Sequence, residues 1–342
     1  MSASILQSAP WAEFQRSLGK EVFERSGDGW HFLAIREKTP LGSLLYTPYG
    51  PAAEHPAAFA QALAELRSLA QAEGAHFVRV EPVAAGLGDN AAALLAGHGL
   101  RRAPADVQPH LTWMVDLTQP EEKILAGMRS TSRNLYRNIH KKGVTFETST
   151  DPADIGILLG FLHGVAERAE FKAQSDDYLA QAARTLMPAG AAKLFVARLD
   201  GEPIAAALSY DTPGTRVYAH AAADDRHRKL NAGIPLVVTM MLDAKESGQE
   251  LFDMWGISPE DEPEHPWAGF SRFKRSFGGF EVEYPGTWDL PVNRPMYAAY
   301  SAARRLRDAL RGALQGKAAP ALRKVQAAVV PALGALRRRL QR

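Results

Sequence analysis

The sequence of 342 residues contains no cysteine, which excludes disulfide bonds, thiolate metal sites and a cysteine nucleophile. Its ten histidines form no H-x-x-x-H or H-E-x-x-H pair, so the sequence gives no support for a metal site. No run of apolar residues is long enough for a bilayer-spanning helix. The first residues lack a basic segment followed by an apolar one, so we expect no signal peptide and a cytoplasmic location.

The net charge of +2 hides an uneven distribution of charge. From Ala303 to Arg342 there are eleven Lys or Arg residues and one acid, Asp308, which gives +10 and leaves −8 for residues 1–302. A basic tail on an acidic body indicates a polyanionic partner, either tRNA or an anionic membrane surface. We expect the tail to form one or two amphipathic helices, and it could also be a partly disordered solubilising segment.

Length and pattern together predict two α/β units. A hydrophobic fraction of 46% and a charged fraction of 23% are typical of globular proteins, and this length suggests two domains. Residues 1–24 have helical spacing, and short strands and helices follow up to residue 110. From residue 112 the order is strand, helices, antiparallel strands around the hairpin signal Asp200-Gly201, a long helix at 231–247 and a strand at 251–255.

That order is typical of the GNAT acyltransferase fold, clearly in the second unit and loosely in the first. We therefore predict the α/β (α+β) class, with two tandem GNAT-like domains that contain mixed, largely antiparallel sheets. The predicted boundaries are residues 1–110 with about 285–300, residues 111–284, and a basic helical tail at 301–342.

The most informative stretch runs from Gly256 to Leu290, GISPEDEPEHPWAGFSRFKRSFGGFEVEYPGTWDL. A strand precedes it, an acidic loop with several prolines follows, and then a basic helix ends at Gly278-Gly279 before another strand. The order G-I-S-P, W-A-G, F-K-R-x-F-G-G and E-Y-x-G resembles the carboxy-terminal signature of the Fem-type (FemABX) peptidoglycan bridge-forming aminoacyltransferases. The chain has no inserted helical arm and so resembles the compact members.

The resemblance implies transfer of an amino acid (Gly, Ala or Ser type) from aminoacyl-tRNA to the stem-peptide amine of a peptidoglycan precursor. It implies no cofactor other than the aminoacyl-tRNA co-substrate. The ester is already activated, so the protein must align the amine and stabilise an oxyanion. By the F-K-x-x-F pattern, Lys274 would stabilise that oxyanion and Phe273 would contact the tRNA 3′ end. An isolated lysine on a basic helix would more often be solvated.

The residues expected to bind the acceptor match the family unevenly. Gln15 and Gln174 stand where members carry cationic phosphate contacts. Either Lys172, Arg16 or Lys20 replaces those contacts, or the acceptor is bound differently, for example as a lipid-linked precursor. Glu81 falls where the family often has an acidic residue near the acceptor amine, so the resemblance implies that it orients the ammonium or relays its proton. A solvated glutamate at a strand end is the alternative interpretation. His220 stands where many members have a tyrosine, and a packed histidine is the common alternative. The full predicted acceptor set is Tyr178, Lys172, Gln174, Gln15, Glu81, His220 and Trp267.

Basic residues at helical spacing predict contacts with tRNA phosphates. A solvated basic helix face explains the pattern equally well. The predicted set is Arg133, Arg137, Lys141, Lys142, Arg272 and Arg275. The acceptor could be nucleotide-linked or lipid-linked, and the tail from residue 303 could contact the membrane beside a lipid-linked one.

Two other functions remain open at this point. A GNAT-fold N-acyltransferase could act on another amine, but a coenzyme A site needs a Gly-rich loop before its long helix. The corresponding loop, Arg228 to Gly233, has Asn231 in place of the first glycine. The second alternative is a non-catalytic tRNA- or membrane-binding module on a GNAT-like scaffold.

Overall fold

The computed structural model describes residues 4–83, 87–88, 90–169 and 174–314. The strands are β1 (Val22–Gly27), β2 (Trp30–Thr39), β3 (Gly42–Thr47), β4 (Ala52–Ala53), β5 (Phe77–Val80), β6 (Arg101–Arg102), β7 (Leu111–Asp116), β8 (Val144–Ser149), β9 (Ala192–Leu199), β10 (Glu202–Asp211), β11 (Thr215–Ala223), β12 (Leu251–Gly256), β13 (Phe280–Glu283) and β14 (Trp288–Pro291). The helices are α1 (Ala9–Ser17), α2 (Pro56–Ala72), α3 (Ala91–Gly97), α4 (Glu121–Gly127), α5 (Ser130–Asn138), α6 (Ile155–Ala169), α7 (Asp176–Leu186), α8 (Gly233–Glu246), α9 (Ala268–Arg275) and α10 (Arg294–Leu314).

The first sheet has the order β1-β2-β3-β5-β14-β6, and β4 pairs with β2. Most neighbours are antiparallel, whereas β3 and β5 run parallel. One face packs on α2 through a core that includes Phe59, Leu66 and Val78. Strand β14 lies between β5 and β6, so a segment from far along the chain completes the first sheet.

A buried ion pair and aromatic packing anchor this late segment. Arg79 on β5 donates from Nε and Nη2 to the carboxylate of Asp289 on β14 at 2.8 and 3.0 Å. Tyr297 on α10 donates its hydroxyl to the same carboxylate at 3.2 Å. Its ring also packs against Phe77, with centroids 5.2 Å apart. The first turns of α10 are therefore held on the first sheet, while residues 315–342 of the predicted tail lie outside the described residues.

The second sheet has the order β13-β7-β12-β11-β10-β9-β8. Only β11 and β12 are parallel, and their register covers Thr215 to Val217 against Leu251 to Asp253. Helix α8 covers one face, with Val237, Met241 and Phe252 in the core between them. The predicted α/β class with two mixed, largely antiparallel sheets is confirmed. The domain boundaries stay a prediction.

The first helix is shorter than the sequence spacing predicted. The prediction of a helix over residues 1–24 is wrong because α1 ends at Ser17 and β1 begins at Val22. Gly19 has φ +75°, a conformation that glycine adopts without the penalty of a Cβ and that ends a helix. Helix α1 packs on α7, so its apolar residues Trp11 and Phe14 belong to a core shared with Leu194 and Leu208 of the second sheet.

Candidate functional site

The site is built around an irregularity at the end of β12. Its register with β7 shifts between Asp253 and Gly256, and Trp255 between them has φ +64°. A left-handed backbone is uncommon for a bulky residue and persists only where the surroundings hold it. Here the Trp255 N–H donates to Asp253 Oδ1 at 2.7 Å. The bulge therefore fixes where the Asp253 carboxylate and the Gly256 carbonyl point.

Lys274 lies on α9, and its Nζ donates to the Gly256 carbonyl at 2.6 Å. Burial lowers the pKa of Lys274 from its usual 10.5 to about 8, and the charge of Asp253 partly opposes that lowering. The side chain thus remains mainly a cation at neutral pH. Phe273 beside it packs on Tyr218 and Phe277, with ring centroids 6.3 and 5.0 Å away.

Asp253 is a carboxylate that the sequence reading missed. The residue is 8% exposed, and its Oδ1 accepts from the Thr112 hydroxyl at 2.5 Å as well as from Trp255 N. Burial raises its pKa, against the lowering effects of those hydrogen bonds and of Lys274. The available signal was an acidic residue inside the apolar strand LFDMWG, since a charge in such a strand needs a reason.

A cavity of about 680 Å³ runs along this part of the molecule, a size typical of ligand sites. Both sheets contribute to its lining, and Asp253 faces it while Lys274 is not among the lining residues. Three aromatic lining residues stand together, because the Tyr49 ring centroid lies 6.0 Å from that of Trp255 and 5.2 Å from that of Tyr284. The cavity thus presents a carboxylate beside a group of aromatic rings.

The predicted acceptor residues fall in two places. The ring of Tyr178 packs against Phe14 beside Gln15, with centroids 5.0 Å apart. Burial raises the pKa of Tyr178 to about 12, and the Gln15 side chain partly opposes this shift. Gln174 is exposed beside α7, and Lys172 lies outside the described residues. Neither Gln15 nor Tyr178 lines the cavity beside Asp253, so this cluster lies outside that cavity.

His220 and Trp267 differ in exposure. His220 packs against the ring of Tyr210 at 5.9 Å, and burial lowers its pKa from 6.5 to about 4, so the imidazole is neutral at physiological pH. Trp267 is 43% exposed and lies next to Gly256, where an added Cβ would come within 3.3 Å of its ring. Trp267 is therefore close to the Lys274 contact, and His220 is a packed neutral side chain.

The setting of Glu81 differs from the solvated strand end of the alternative interpretation. It is 2% exposed, and Oε1 accepts from the backbone N–H groups of Val107 and Gln108 and from the Thr287 hydroxyl. Its Oε2 accepts from the hydroxyl of Tyr46. Internal donors thus occupy both oxygens, which gives Glu81 a structural role, and its part in binding an amine stays a prediction.

The predicted tRNA contacts also divide by setting. Arg133 donates to backbone carbonyls at the end of α4, and Arg275 donates to Ser258 O and pairs with Glu281. These two guanidinium groups therefore have internal partners. The remaining predicted residues have exposed side chains, namely Arg137, Lys141, Lys142 and Arg272.

Exposed aromatic residues lie on and beside α9. Phe270 on the helix is 65% exposed and Phe280 at the start of β13 is 44% exposed, in addition to Trp267. Phe270 is exposed, Phe273 is half-buried and Phe277 after the helix is buried, so the three rings lead from solvent towards the core beside Lys274.

The loop before α8 keeps the left-handed position that a glycine would occupy. Asn231 has φ +49°, and asparagine tolerates this conformation better than most residues. It caps the turn at Asp225–Leu230, and α8 begins at Gly233. The backbone shape that the loop motif requires is thus partly retained, although Asn231 adds a side chain where close backbone approach needs glycine.

Fold and site together define a protein of two α/β sheet units in which a mostly buried lysine lies near a buried aspartate at a bulged strand end. Comparison with known proteins agrees with the resemblance in the sequence. Residues 189–305 match the family described as FemAB. Aminoacyltransferase FemA of Staphylococcus aureus (strain MW2) is 26% identical over 106 residues, which are 31% of this chain and 25% of FemA. The match thus spans about a quarter of the length of that curated relative.

The crystal structure of FemX superposes with a TM-score of 0.79 at 19% identity, and the alignment covers 87% of this chain and 94% of FemX. At this identity the similarity establishes the fold. The family match over residues 189–305 and the FemA relative confirm the predicted resemblance to the Fem-type family, and FemX shows the same fold.

Proposed function

We propose that the protein is an aminoacyltransferase that moves an amino acid from aminoacyl-tRNA to the stem-peptide amine of a peptidoglycan precursor. The observation that carries the proposal is the setting of Lys274, a cation held on the Gly256 carbonyl within the motif shared with the family. A cation in a mostly buried site stabilises a developing oxyanion far more than one in water. FemA, one of the relatives that the chain matches, is itself an aminoacyltransferase.

The chemistry that these residues support is attack of a neutral amine on the aminoacyl ester. The nitrogen lone pair forms the new C–N bond, and the carbonyl electron pair moves onto oxygen, where Lys274 stabilises it. Collapse of that intermediate breaks the ester C–O bond, and the ribose oxygen leaves with a proton. Phe273, packed on Tyr218, forms one wall for the 3′ end, so that both reactants are held in register.

The exposed aromatic residues beside α9 support a single-stranded nucleic-acid end as donor. Bases stack on aromatic side chains without regard to sequence, and Trp267 and Phe270 present such rings next to the exposed Arg272. Arg137, Lys141 and Lys142 would add phosphate contacts. Aminoacyl-tRNA as co-substrate would make a separate cofactor unnecessary.

The acceptor is proposed to be a nucleotide-linked or lipid-linked muropeptide, with Gln15, Tyr178 and Gln174 binding its more distant part. Among the residues that the structure describes, no helix is both long and apolar enough to cross a bilayer. The basic region from residue 303 would then give peripheral contact with the inner face of the membrane when the acceptor is lipid-linked. A cytoplasmic enzyme of this kind meets both substrates.

The test is transfer of radiolabel from a panel of charged tRNAs to purified nucleotide-linked and lipid-linked precursors. Wild type is compared with Lys274→Met and with a chain ended after Leu314, which keeps α10 intact. We expect label in the stem peptide with wild type and a loss of at least a hundredfold with Lys274→Met, from the usual magnitude of oxyanion stabilisation. Only transfer to the lipid-linked acceptor should depend on the tail.

The remaining functions give different results in the same experiment. Absence of label with every pair, from folded wild type, together with coenzyme A binding in calorimetry, would indicate a GNAT N-acyltransferase instead. Binding of tRNA without transfer of any amino acid would indicate a non-catalytic module. Equal rates for wild type and Lys274→Met would refute the role of the lysine even if transfer occurs.

A further inference from the structure

The proposed reaction needs a group that receives the acceptor amine, because an alkyl amine is mostly an ammonium ion at neutral pH. Glu81 was the predicted residue, but both of its oxygens accept hydrogen bonds from the protein. Asp253 differs in this respect. Its Oδ1 is occupied by Thr112 and Trp255 N, and within the described ranges no hydrogen-bond donor reaches Oδ2.

The surroundings of Asp253 suit a cation. The residue is 8% exposed and lines the cavity, together with the adjoining rings of Tyr49, Trp255 and Tyr284. Aromatic faces attract ammonium ions, most strongly where water is excluded. A buried carboxylate with one free oxygen supplies the hydrogen-bond acceptor and the compensating charge that such an ion needs.

Lys274 influences the charge of Asp253, yet in the described part of the chain no ion pair joins the two. Each is held by the backbone at the bulge, Lys274 through Gly256 O and Asp253 through Trp255 N. A reacting centre needs this separation of charges, with the cation next to the carbonyl oxygen and the anion next to the attacking nitrogen.

We propose that Asp253 and the three rings form a primary-ammonium site that binds the attacking amine and takes its proton. The inference rests on the proposed function and adds the proton acceptor to it. One ammonium proton moves to Asp253 Oδ2, and the freed lone pair forms the C–N bond. The second nitrogen proton leaves with the ribose oxygen when the ester C–O bond breaks, and Asp253 then releases its proton to solvent.

The first experiment measures binding of small amines and needs no tRNA or muropeptide. Nα-acetyl-L-lysine amide represents the acceptor amine, L-alanine amide represents the α-amine of the donor, and the Nε-acetylated lysine probe is the uncharged control. Asp253→Asn keeps an oxygen for Thr112 and Trp255 N and replaces only the free oxygen. Glu283→Gln is the matched control, because it neutralises an exposed carboxylate next to Tyr284 that does not line the cavity.

Calorimetry or saturation-transfer NMR should show that wild type and Glu283→Gln bind the lysine probe equally, and that Asp253→Asn binds it at least tenfold more weakly. The Nε-acetylated probe carries no charge. Its binding to wild type and to each variant should therefore be no stronger than the binding of the free amine to Asp253→Asn. A loss confined to the alanine probe would support the ammonium site but assign it to the donor. Equal binding of both amines to wild type and Asp253→Asn, or no binding of either to wild type, would overturn the proposal.

A second variant guards against misfolding of Asp253→Asn. Tyr284→Leu keeps the carboxylate and removes one ring, and we expect severalfold weaker binding of the lysine probe with unchanged circular dichroism. Unchanged binding to that variant would contradict the role of the rings. In the transfer assay Asp253→Asn should lower kcat/KM at least a hundredfold. Amine binding without transfer by wild type would refute the proposed function and leave the ammonium site standing.

Discussion

Replacing Lys274 with Met should remove activity and at the same time increase stability. The protein holds the lysine as a cation where burial disfavours that charge, and its pKa falls from 10.5 to about 8. Each pKa unit corresponds to about 1.4 kcal/mol, so the folded state bears a penalty of about 3 kcal/mol for the protonated side chain. Loss of the hydrogen bond to Gly256 O offsets about 1 kcal/mol. We therefore expect Lys274→Met to raise the free energy of unfolding by about 2 kcal/mol at pH 7.

The pH dependence of the stability difference between Lys274→Met and wild type distinguishes removal of a buried charge from a general improvement in packing. Because the folded pKa is the lower one, the unfolded state binds more protons between pH 8 and 10.5, and wild type gains stability as pH rises through that range. The Met variant lacks this gain, so its advantage should shrink above pH 8. Urea unfolding at pH 7 and pH 9.5 measures both quantities. The reasoning would be refuted if Lys274→Met were less stable than wild type at pH 7. It would also be refuted if the gain in the free energy of unfolding were the same at both pH values.

Two further predictions concern α9 and the second sheet. Phe270→Ala should raise KM for charged tRNA about tenfold through loss of stacking and leave the melting temperature unchanged, whereas Val107→Ala, at another exposed apolar residue, should change neither. Arg216→Met should lower the free energy of unfolding by about 3–5 kcal/mol in urea titration, because Asp211 and Asp243 lose their buried partner. Arg198→Met, which breaks an exposed pair, should cost less than about 1 kcal/mol, and equal effects of the two would contradict the argument.

Local signals in the sequence predicted much of the second sheet. Asp200 and Gly201 both have positive φ in the turn between β9 and β10, as a two-residue hairpin requires. A serine directly before a helical pattern is a local capping signal, and the Ser175 hydroxyl accepts from Tyr178 N at the start of α7. In both cases the residues that carry the signal and the structure that they specify lie within a few positions of each other. The residue types in the turn or cap are therefore enough to predict the local structure.

The features that the sequence reading missed depend on distant partners. Whether Glu81 faces solvent or the interior is decided by Thr287 and by the loop at Val107, which no local pattern identifies. The same holds for Asp253, whose orientation is set by Thr112 on a neighbouring strand. Helical spacing in residues 1–24 likewise could not reveal that Val22 pairs with Ile35 in a sheet.

The bulge at Trp255 depends both on a local signal and on a distant partner. It needs a left-handed backbone at Trp255 and pairing of β12 with β7. Glycine adopts φ near +64° without strain, so Trp255→Gly should keep the bulge and with it the positions of Asp253 and Lys274. The same variant removes one ring from the proposed ammonium site. We therefore expect kcat to stay within about threefold and KM for the acceptor to rise about tenfold, a loss typical of one cation–π contact.

Trp255→Phe is the matched control, because it keeps an aromatic ring and should keep KM near that of wild type. Steady-state transfer rates at varied acceptor concentration separate the two constants. A large loss of kcat in Trp255→Gly with KM unchanged would mean that the indole holds the backbone in place, not the substrate. The bulge would then depend on packing against Tyr49, and the strained conformation would be a consequence of that packing and not a means of orienting Asp253 and Gly256.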